Sequence, residues 1–403
     1  MVTVNGEVTL RRRWWSCPSE GSFAPLDDLI DVDHATYTVG VREIACRLNN
    51  DGKSFDGTAE NLDRSAQIQI SGEQLRLLVE AEGVRVRQQQ QASLIAPAFD
   101  ATDCVIPPQA QAKVAAGVET PPSNPTTKSA PKTRLYIGVD GVMVPVITDD
   151  EKIKRRNKVC QKRQQRGRKC RPLPPRRRGW TGNSREFKVV TFYDETGKYN
   201  HHVLCAGKRT QLGVHIRREA LRINFLKADE RIGNVDGAKW IPEQLQEQPQ
   251  HLRLSGLGLD HYHFLENLHK CRRRVFGEQS AAGTTWVEDL IEKFTHQGFE
   301  IAWQVLVAWR VTLRSPRKKK AADGLINYIS QRREMISYPE FRQRGWQIGS
   351  GPTEARCKTT TYRLKGSGCR WDFKNAESIA SLTTLKDSGQ WANYWQLHLS
   401  TKT

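Results

Sequence analysis

Three carboxylates stand where an oxygen-ligated divalent cation could use them. Asp140 closes an apolar run, Leu135 to Val139, that reads as a strand. Asp236 lies in a strand-to-helix turn within Ile232 to Trp240, and Glu354 falls in the first turn of a helix opened by Gly349-Ser350-Gly351-Pro352. Phosphodiester cleavage by hard cations needs such donors clustered, with two ions roughly 3.5–4 Å apart to clamp the attacking and leaving oxygens. Taken singly, each carboxylate has a plainer reading, because an Asp-Gly pair is most often only a turn.

The elements that must position these residues follow from pattern. Strand character resumes at Met143 to Ile147, and the runs Phe187 to Tyr193 and Tyr199 to Ala206, separated by Asp194-Glu195-Thr196-Gly197, predict an antiparallel hairpin. A helix over Val214 to Phe225, one from about Pro242, a short strand Leu254 to Leu259 and a helix through His263 and Leu268 come next. A helical region from Thr285 to about Ile336 follows, broken by the basic patch Arg314 to Lys320. Three adjacent strands, then alternating helix and strand, then a helix is an α/β order.

Ahead of this lie three short helical patterns: Val39 to Leu48, Thr58 to Ala66, and Gly72 to Glu82. The last has Ser71 as N-cap, Gln74 three residues on and Gly83 as C-cap. The short turn between the second and third predicts either a helix-turn-helix, with Arg76 at the DNA, or a plain helical hairpin. Residues 1–34 have little periodicity and read as irregular. Residues 88–134, opening on Gln88 to Gln91 and then rich in proline, have linker composition.

The formal net charge of +19 points to a polyanionic partner, nucleic acid first. Lys152 to Arg178 carries 14 basic residues and no acidic one, so about +5 is left for the rest of the chain. That segment, with Lys154, Arg155, Arg156, Arg176, Arg177 and Arg178, has too few apolar residues to fold alone and reads as a mobile polycation gripping DNA, or as a solubilising loop. Nine scattered cysteines without a Cys-x-x-Cys pair argue against a disulfide framework and a zinc site, and suit a reducing cytosol. The apolar segment around Ile301 to Trp309 is too short to span a bilayer, and no leader pattern opens the chain.

Five segments, in order, are Val139-Asp140-Gly141; Val235-Asp236-Gly237-Ala238-Lys239-Trp240-Ile241; Leu259-Asp260-His261-Tyr262-His263; Ile348-Gly349-Ser350-Gly351-Pro352-Thr353-Glu354; and Arg363-Leu364-Lys365-Gly366-Ser367-Gly368-Cys369-Arg370-Trp371. Together they resemble bacterial insertion-sequence transposases, in particular the ISKra-type family, distantly related to the Mutator-like group. The likeness covers about Leu135 to Trp371 and, more weakly, the N-terminal helices. It implies an RNase H-like core, a mixed sheet flanked by helices, with an all-helical insertion. It also implies Asp140, Asp236 and Glu354 as metal ligands for two Mg2+ ions per active site, with Mn2+ able to substitute. Water and then a DNA 3'-hydroxyl would attack phosphorus in line, without a covalent enzyme intermediate.

Asp260 and His263 are similar to the accessory Asp-x-x-His of these enzymes, although His263 can equally cap or hydrogen-bond within its helix. Arg363, Lys365, Arg370 and Trp371 would meet phosphate and an unstacked base, or else form a solvated basic face with Trp371 in the core. The implied partners are double-stranded DNA, as terminal inverted repeats and target, and further copies of the chain, a dimer or higher in the synaptic complex. The implied location is the bacterial cytoplasm, at the nucleoid. Two departures stand out: Cys17 lacks a nearby partner where family members carry a cysteine-rich element, and the strand before Asp236 is polar, with Asp229, Glu230, Arg231 and Asn234.

The expected organisation is therefore an irregular 1–34, a helical DNA-binding region at 35–87, a linker at 88–134, and the first part of the core at 135–270 with the basic loop 152–178. A helical insertion at 271–345, the last part of the core at 346–375 and a tail at 376–403 complete it. The competing readings are a domesticated or decayed transposase that only binds DNA, and an RNase H-like nuclease.

Overall fold

Short apolar runs and longer amphipathic stretches alternate along the chain, and strands and helices follow them. The computed structural model describes residues 1–11, 13–19, 21–24, 36–52, 54–108, 132–169, 184–205, 209–238, 240–246, 252–366 and 368–400. In order these form β1 (Val2–Thr3), β2 (Gly6–Glu7), β3 (Trp15–Cys17), β4 (Gly21–Phe23), α1 (Val39–Asp51), α2 (Phe55–Ala66), α3 (Gly72–Gln91), β5 (Arg134–Pro145), α4 (Asp149–Gln164), β6 (Ser184–Asp194), β7 (Asn200–Cys205), α5 (Arg209–Arg222), β8 (Glu230–Val235), α6 (Trp240–Gln246) and β9 (Gly256–Leu259). Helices α7 (His261–Phe276), α8 (Ala281–Glu292), α9 (Phe299–Thr312), α10 (Pro316–Ser330), α11 (Tyr338–Gln343), α12 (Gly351–Tyr362), α13 (Phe373–Asp387) and α14 (Trp391–Ser400) complete the chain. No helix among the described residues is long and apolar enough to cross a membrane.

The chain divides into two compact units: Met1–Pro97 with Gly141–Phe187 and Cys357–Thr403, and Ala98–Asp140 with Lys188–Arg356. The fold class is mixed α/β, built on a five-stranded sheet of order β7-β6-β5-β8-β9. β8 runs parallel to both β5 and β9, and β6 and β7 form the antiparallel hairpin that Asp194-Glu195-Thr196-Gly197 signals. β5 is buried at all six positions from Arg134 to Val139, as a central parallel strand should be.

In the second unit a single core runs from Phe99 to Trp346, joining the sheet to helices α5 to α11. Phe264 on α7 meets Phe294 (5.1 Å between ring centroids) and Tyr338 (5.5 Å), which ties α7 to the helices that follow it. Residues 98–108, read from sequence as linker, belong to this core. Phe99, Ala101, Cys104 and Ile106 are buried, and the Ala101 N–H donates to the Ile223 carbonyl. Residues 109–131 lie outside the described residues.

In the first unit the Ser71 capping box forms as expected, but α3 runs on to Gln91 through the glutamine run. Gly83 is therefore not a C-cap. It lies where α3 crosses α13, and a Cβ there would strike the Ser378 backbone. The "irregular" start holds two short hairpins, β1–β2 and β3–β4, with Gly6 and Gly21 in the positive-φ conformations tight turns need. The expected C-terminal tail is α13, with nine buried residues, and α14, whose Tyr394 and Trp395 are buried.

The first part of the basic segment is also ordered: α4 is a helix with no buried residue. Its stability comes from just outside the basic window, where Thr148 and Glu151 make a capping box and Asp149, Asp150 and Glu151 occupy the first turn, while Lys162 and Arg163 occupy the last. Arg176, Arg177 and Arg178 lie outside the described residues. Cys17, Cys46, Cys104, Cys205, Cys271, Cys357 and Cys369 form no disulfide, whereas Cys160 is disulfide-bonded, a cross-link the sequence reading did not expect.

Candidate metal-binding site

The parallel register of β5, β8 and β9 decides which side chains meet. Val139 pairs with Val235, and Val235 with Leu259. The next residue on each strand is an aspartate: Asp140, Asp236 and Asp260. The sequence reading ended the first strand at Asp140-Gly141; in fact β5 continues through the pair to Pro145, and only its parallel partner stops. Asp140 is thus held by regular strand backbone.

Asp236 begins the loop between β8 and α6 and accepts from the Ala238 N–H (2.8 Å). Gly237 in this loop has φ +81°, and its carbonyl receives both Nε (2.9 Å) and Nη2 (2.5 Å) of Arg332, just beyond the end of α10. Burial raises the Asp236 carboxyl above its ordinary pKa, and the neighbouring Asp140 raises it further, while the Ala238 N–H, His263 and Arg332 pull the other way. A carboxylate perturbed by burial and by a second carboxylate marks a candidate functional site.

Asp260 caps α7. Its Oδ2 accepts from the His263 N–H (2.8 Å) and from the His263 ring at Nδ1 (2.7 Å), and its Oδ1 accepts from the Ser350 N–H (2.5 Å). Fully buried, it would be pushed up by desolvation, but these bonds hold its pKa below the usual range. His263 is raised to about 9, chiefly by the hydrogen bond to Asp260 against partial desolvation, then by the charges of Asp260, Asp236 and Glu354. The capping and accessory readings of His263 are thus compatible: its backbone is capped while its ring faces the acidic residues.

Glu354 arrives on α12, whose start is fixed by residues scattered through the second unit. Arg134 donates to the carbonyls of Arg344 and Gly345, Tyr136 Oη accepts from the Gln347 N–H (3.1 Å), and Asn234 donates to the Gln347 carbonyl (2.9 Å). The polar character of β8 is thereby explained. Asn234 holds this strap, Glu230 pairs with Arg134 (2.7 Å) and accepts from Trp346 Nε1 (2.9 Å), and Asp229 accepts from Thr133. Ser350 donates from Oγ to Glu354 Oε1 (3.2 Å), completing a chain from Asp260 to Glu354.

Among the described residues, the ligand atoms of Asp260, His263 and Glu354 lie within 4.8 Å of one another. Asp140 and Asp236 stand outside that group, linked to it through the charge of Asp236 on His263. Asp260 is engaged by three hydrogen bonds, while Asp236 accepts one from the Ala238 N–H and Glu354 one from Ser350, so the group of Asp260, His263 and Glu354 is the one whose ligand atoms lie together. Carboxylate oxygens of this kind suit a hard divalent ion. Sequence reasoning missed Ser350, Asn234 and Arg332. Ser350 sits inside a quoted motif, whereas nothing around Arg332 marks it.

The candidate DNA contacts all lie in the first unit, and several are committed elsewhere. Trp371 is buried, with Nε1 donating to the Leu364 carbonyl (3.1 Å), and Arg363 is buried between the rings of Phe55 (4.7 Å) and Trp371 (5.3 Å). These two are structural, which corrects the reading of a base-stacking ring. Arg370 pairs with Glu151 and donates to the Val146 carbonyl. Arg76 is held by Glu73 (2.6 Å) and Glu80 (2.7 Å) on its own helix, and the exposed positions of α3, Glu73, Gln74, Leu77, Ala81, Gln88 and Gln91, include no cation. Lys154, Arg155 and Lys365 are exposed, and Arg156 is half-buried. Comparison with protein-family models and with curated proteins finds no match to this chain.

Proposed function

We propose that this protein is a metal-dependent DNA transposase with an RNase H-like catalytic domain, cutting at the ends of an insertion sequence and joining them to target DNA. The observation that supports the reading is the register of β5 and β8, in which Asp140 and Asp236 each follow the last paired residue, while Glu354 falls in the first turn of α12. The sheet supports it too, with an antiparallel hairpin at one edge and two parallel strands at the other. Asp140, Asp236 and Glu354 would hold two Mg2+ ions, which when bound supply the Lewis acidity and charge neutralisation that strand cleavage and transfer require. Asp260 keeps the His263 ring oriented and Ser350 restrains Glu354, so the donors are set before substrate arrives. Double-stranded DNA and a second copy of the chain are the proposed partners.

The test is strand cleavage and transfer by the purified protein on labelled duplex carrying the element's end, with Mg2+, with EDTA, and with Asp236→Asn in parallel. Mg2+-dependent cutting that the variant loses is the expected result. Binding without cutting in every lane points to a DNA-binding remnant, and cutting confined to RNA–DNA hybrids points to a nuclease.

A further inference from the structure

Helix α7 has one face it must bury and one it need not. Phe264, Leu268, Cys271 and Val275 recur at helical spacing and are buried, fixing the inner face. On the outer side Tyr262 is 72% exposed, far more than a phenol ring needs merely to wet its hydroxyl. Lys270, Arg273 and Arg274 are exposed on the same helix, and none makes an ion pair among the described residues. A shallow groove of about 570 Å³, open to solvent, runs along this side, lined by side chains of α7 alone, among them Tyr262, Leu265, Glu266, Lys270 and Arg273. From Tyr262 to Arg273 it extends about 16 Å at the helical rise, and it starts one residue from His263.

We propose that this groove binds an unpaired DNA strand, with Tyr262 stacking on a base and Lys270 and Arg273 taking phosphates. This rests on the transposase reading for the identity of the strand. An exposed ring followed by cations that outnumber the one carboxylate among them is the composition that single-stranded nucleic acid fits, because every base offers a face to stack and every linkage a charge. A paired duplex hides those faces, so the strand must be unpaired where it meets Tyr262. Glu266 repels phosphate midway along and leaves the Lys270–Arg273 end as the anchoring point.

The experiment is a fluorescence titration of the full chain in EDTA, using a single-stranded oligothymidylate with one 2-aminopurine and its duplex form. Expected results are quenching of the single strand by the wild type and by Tyr262→Phe, with weaker binding of the duplex. Tyr262→Ala should lose the quenching and bind about 10-fold more weakly. Lys270→Ala with Arg273→Ala should weaken binding, leave the quenching of bound oligomer, and make the log–log salt dependence shallower by about 1.4. Glu266→Gln should tighten it. Quenching and affinity unchanged in Tyr262→Ala, or duplex bound as well as single strand, would overturn the proposal. No metal is needed, so stacking without any cutting in the cleavage assay sinks the transposase reading alone, and cutting with Tyr262→Ala binding like wild type sinks the groove alone.

Discussion

Gly138 on β5 lies so close to Thr353 on α12 that a Cβ at the glycine would overlap the threonine hydroxyl. The strand that carries Asp140 and the helix that carries Glu354 therefore touch where only hydrogen fits. Gly138→Ala should push α12 away from the sheet, cost about 2 kcal/mol of stability by overpacking, and separate Glu354 from Asp140. Urea unfolding measures the cost, and the companion Gly138→Ala/Thr353→Ala should recover most of it. Thr353 Oγ1 is buried without a hydrogen-bond partner among the described residues, so Thr353→Val, of the same shape, should hold or gain about 1 kcal/mol. A loss of that size in Thr353→Val would mean the hydroxyl has a partner after all.

Asp260 and His263 form a second testable pair. Asn at position 260 can still cap α7, but it cannot hold the His263 ring with a charge. Asp260→Asn should therefore fold with native secondary structure and lower strand cleavage on the order of 10- to 100-fold, the usual cost of losing a group that orients a functional histidine. Cleavage at the wild-type rate would show that the ring's orientation is immaterial. Rescue of His263→Ala by added imidazole separates loss of the ring from collapse of the helix start.

How much of this was legible in the sequence varies with how far away each determinant lies. The β6–β7 hairpin and the Ser71 capping box are written within a few residues, and both form. The strand running through Asp140-Gly141 is not so written, because a turn dipeptide extends only when its neighbours on the sheet hold it. Gly83 looks like a helix stop until α13 crosses it some 295 residues later, and Trp371 looks like an exposed ring until Phe55 and Arg363 pack on it. Asp236 was readable as a residue just past a strand and Glu354 as a helix-start residue, whereas Asp140 lies inside its strand. Arg332, which clamps the Asp236 loop from the end of α10, carries no local mark of that duty.

Asp140 beside Asp236 is a repulsion that a cation removes. Asp236→Asn should therefore leave the metal-free protein at least as stable as wild type, with a gain of about 0.5–1 kcal/mol, since the amide can still accept from the Ala238 N–H. Wild-type Tm should rise by several degrees with saturating Mn2+, because a ligand at about 100 times its Kd adds about 2.7 kcal/mol, and EDTA should reverse it. In Asp236→Asn most of that rise should vanish. Differential scanning calorimetry decides: an equal Mn2+ shift in both proteins would place the cation elsewhere.

Glu219 should help to set the acid limit of the second unit. Its buried carboxylate accepts from His201 Nε2 (2.8 Å), Arg218 Nε (2.7 Å) and Arg222 Nη1 (2.6 Å). Burial alone would raise its pKa, but the His201 bond and the charges of His201, Arg222 and Arg218 outweigh it and bring it down to about 2. A folded pKa below the unfolded one means the stabilisation is complete above the unfolded value, about 4.3, and is lost as pH falls toward the folded one. The loss should approach about 3 kcal/mol between roughly pH 4.5 and 2. Glu219→Gln should remove a similar amount at pH 7 and flatten stability through that window. Urea midpoints from pH 7 to 2.5 measure both, and a variant that keeps the wild-type slope would assign the acid sensitivity to other carboxylates, Asp229 and Asp260 first among them, whose pKa values are also lowered by their hydrogen bonds.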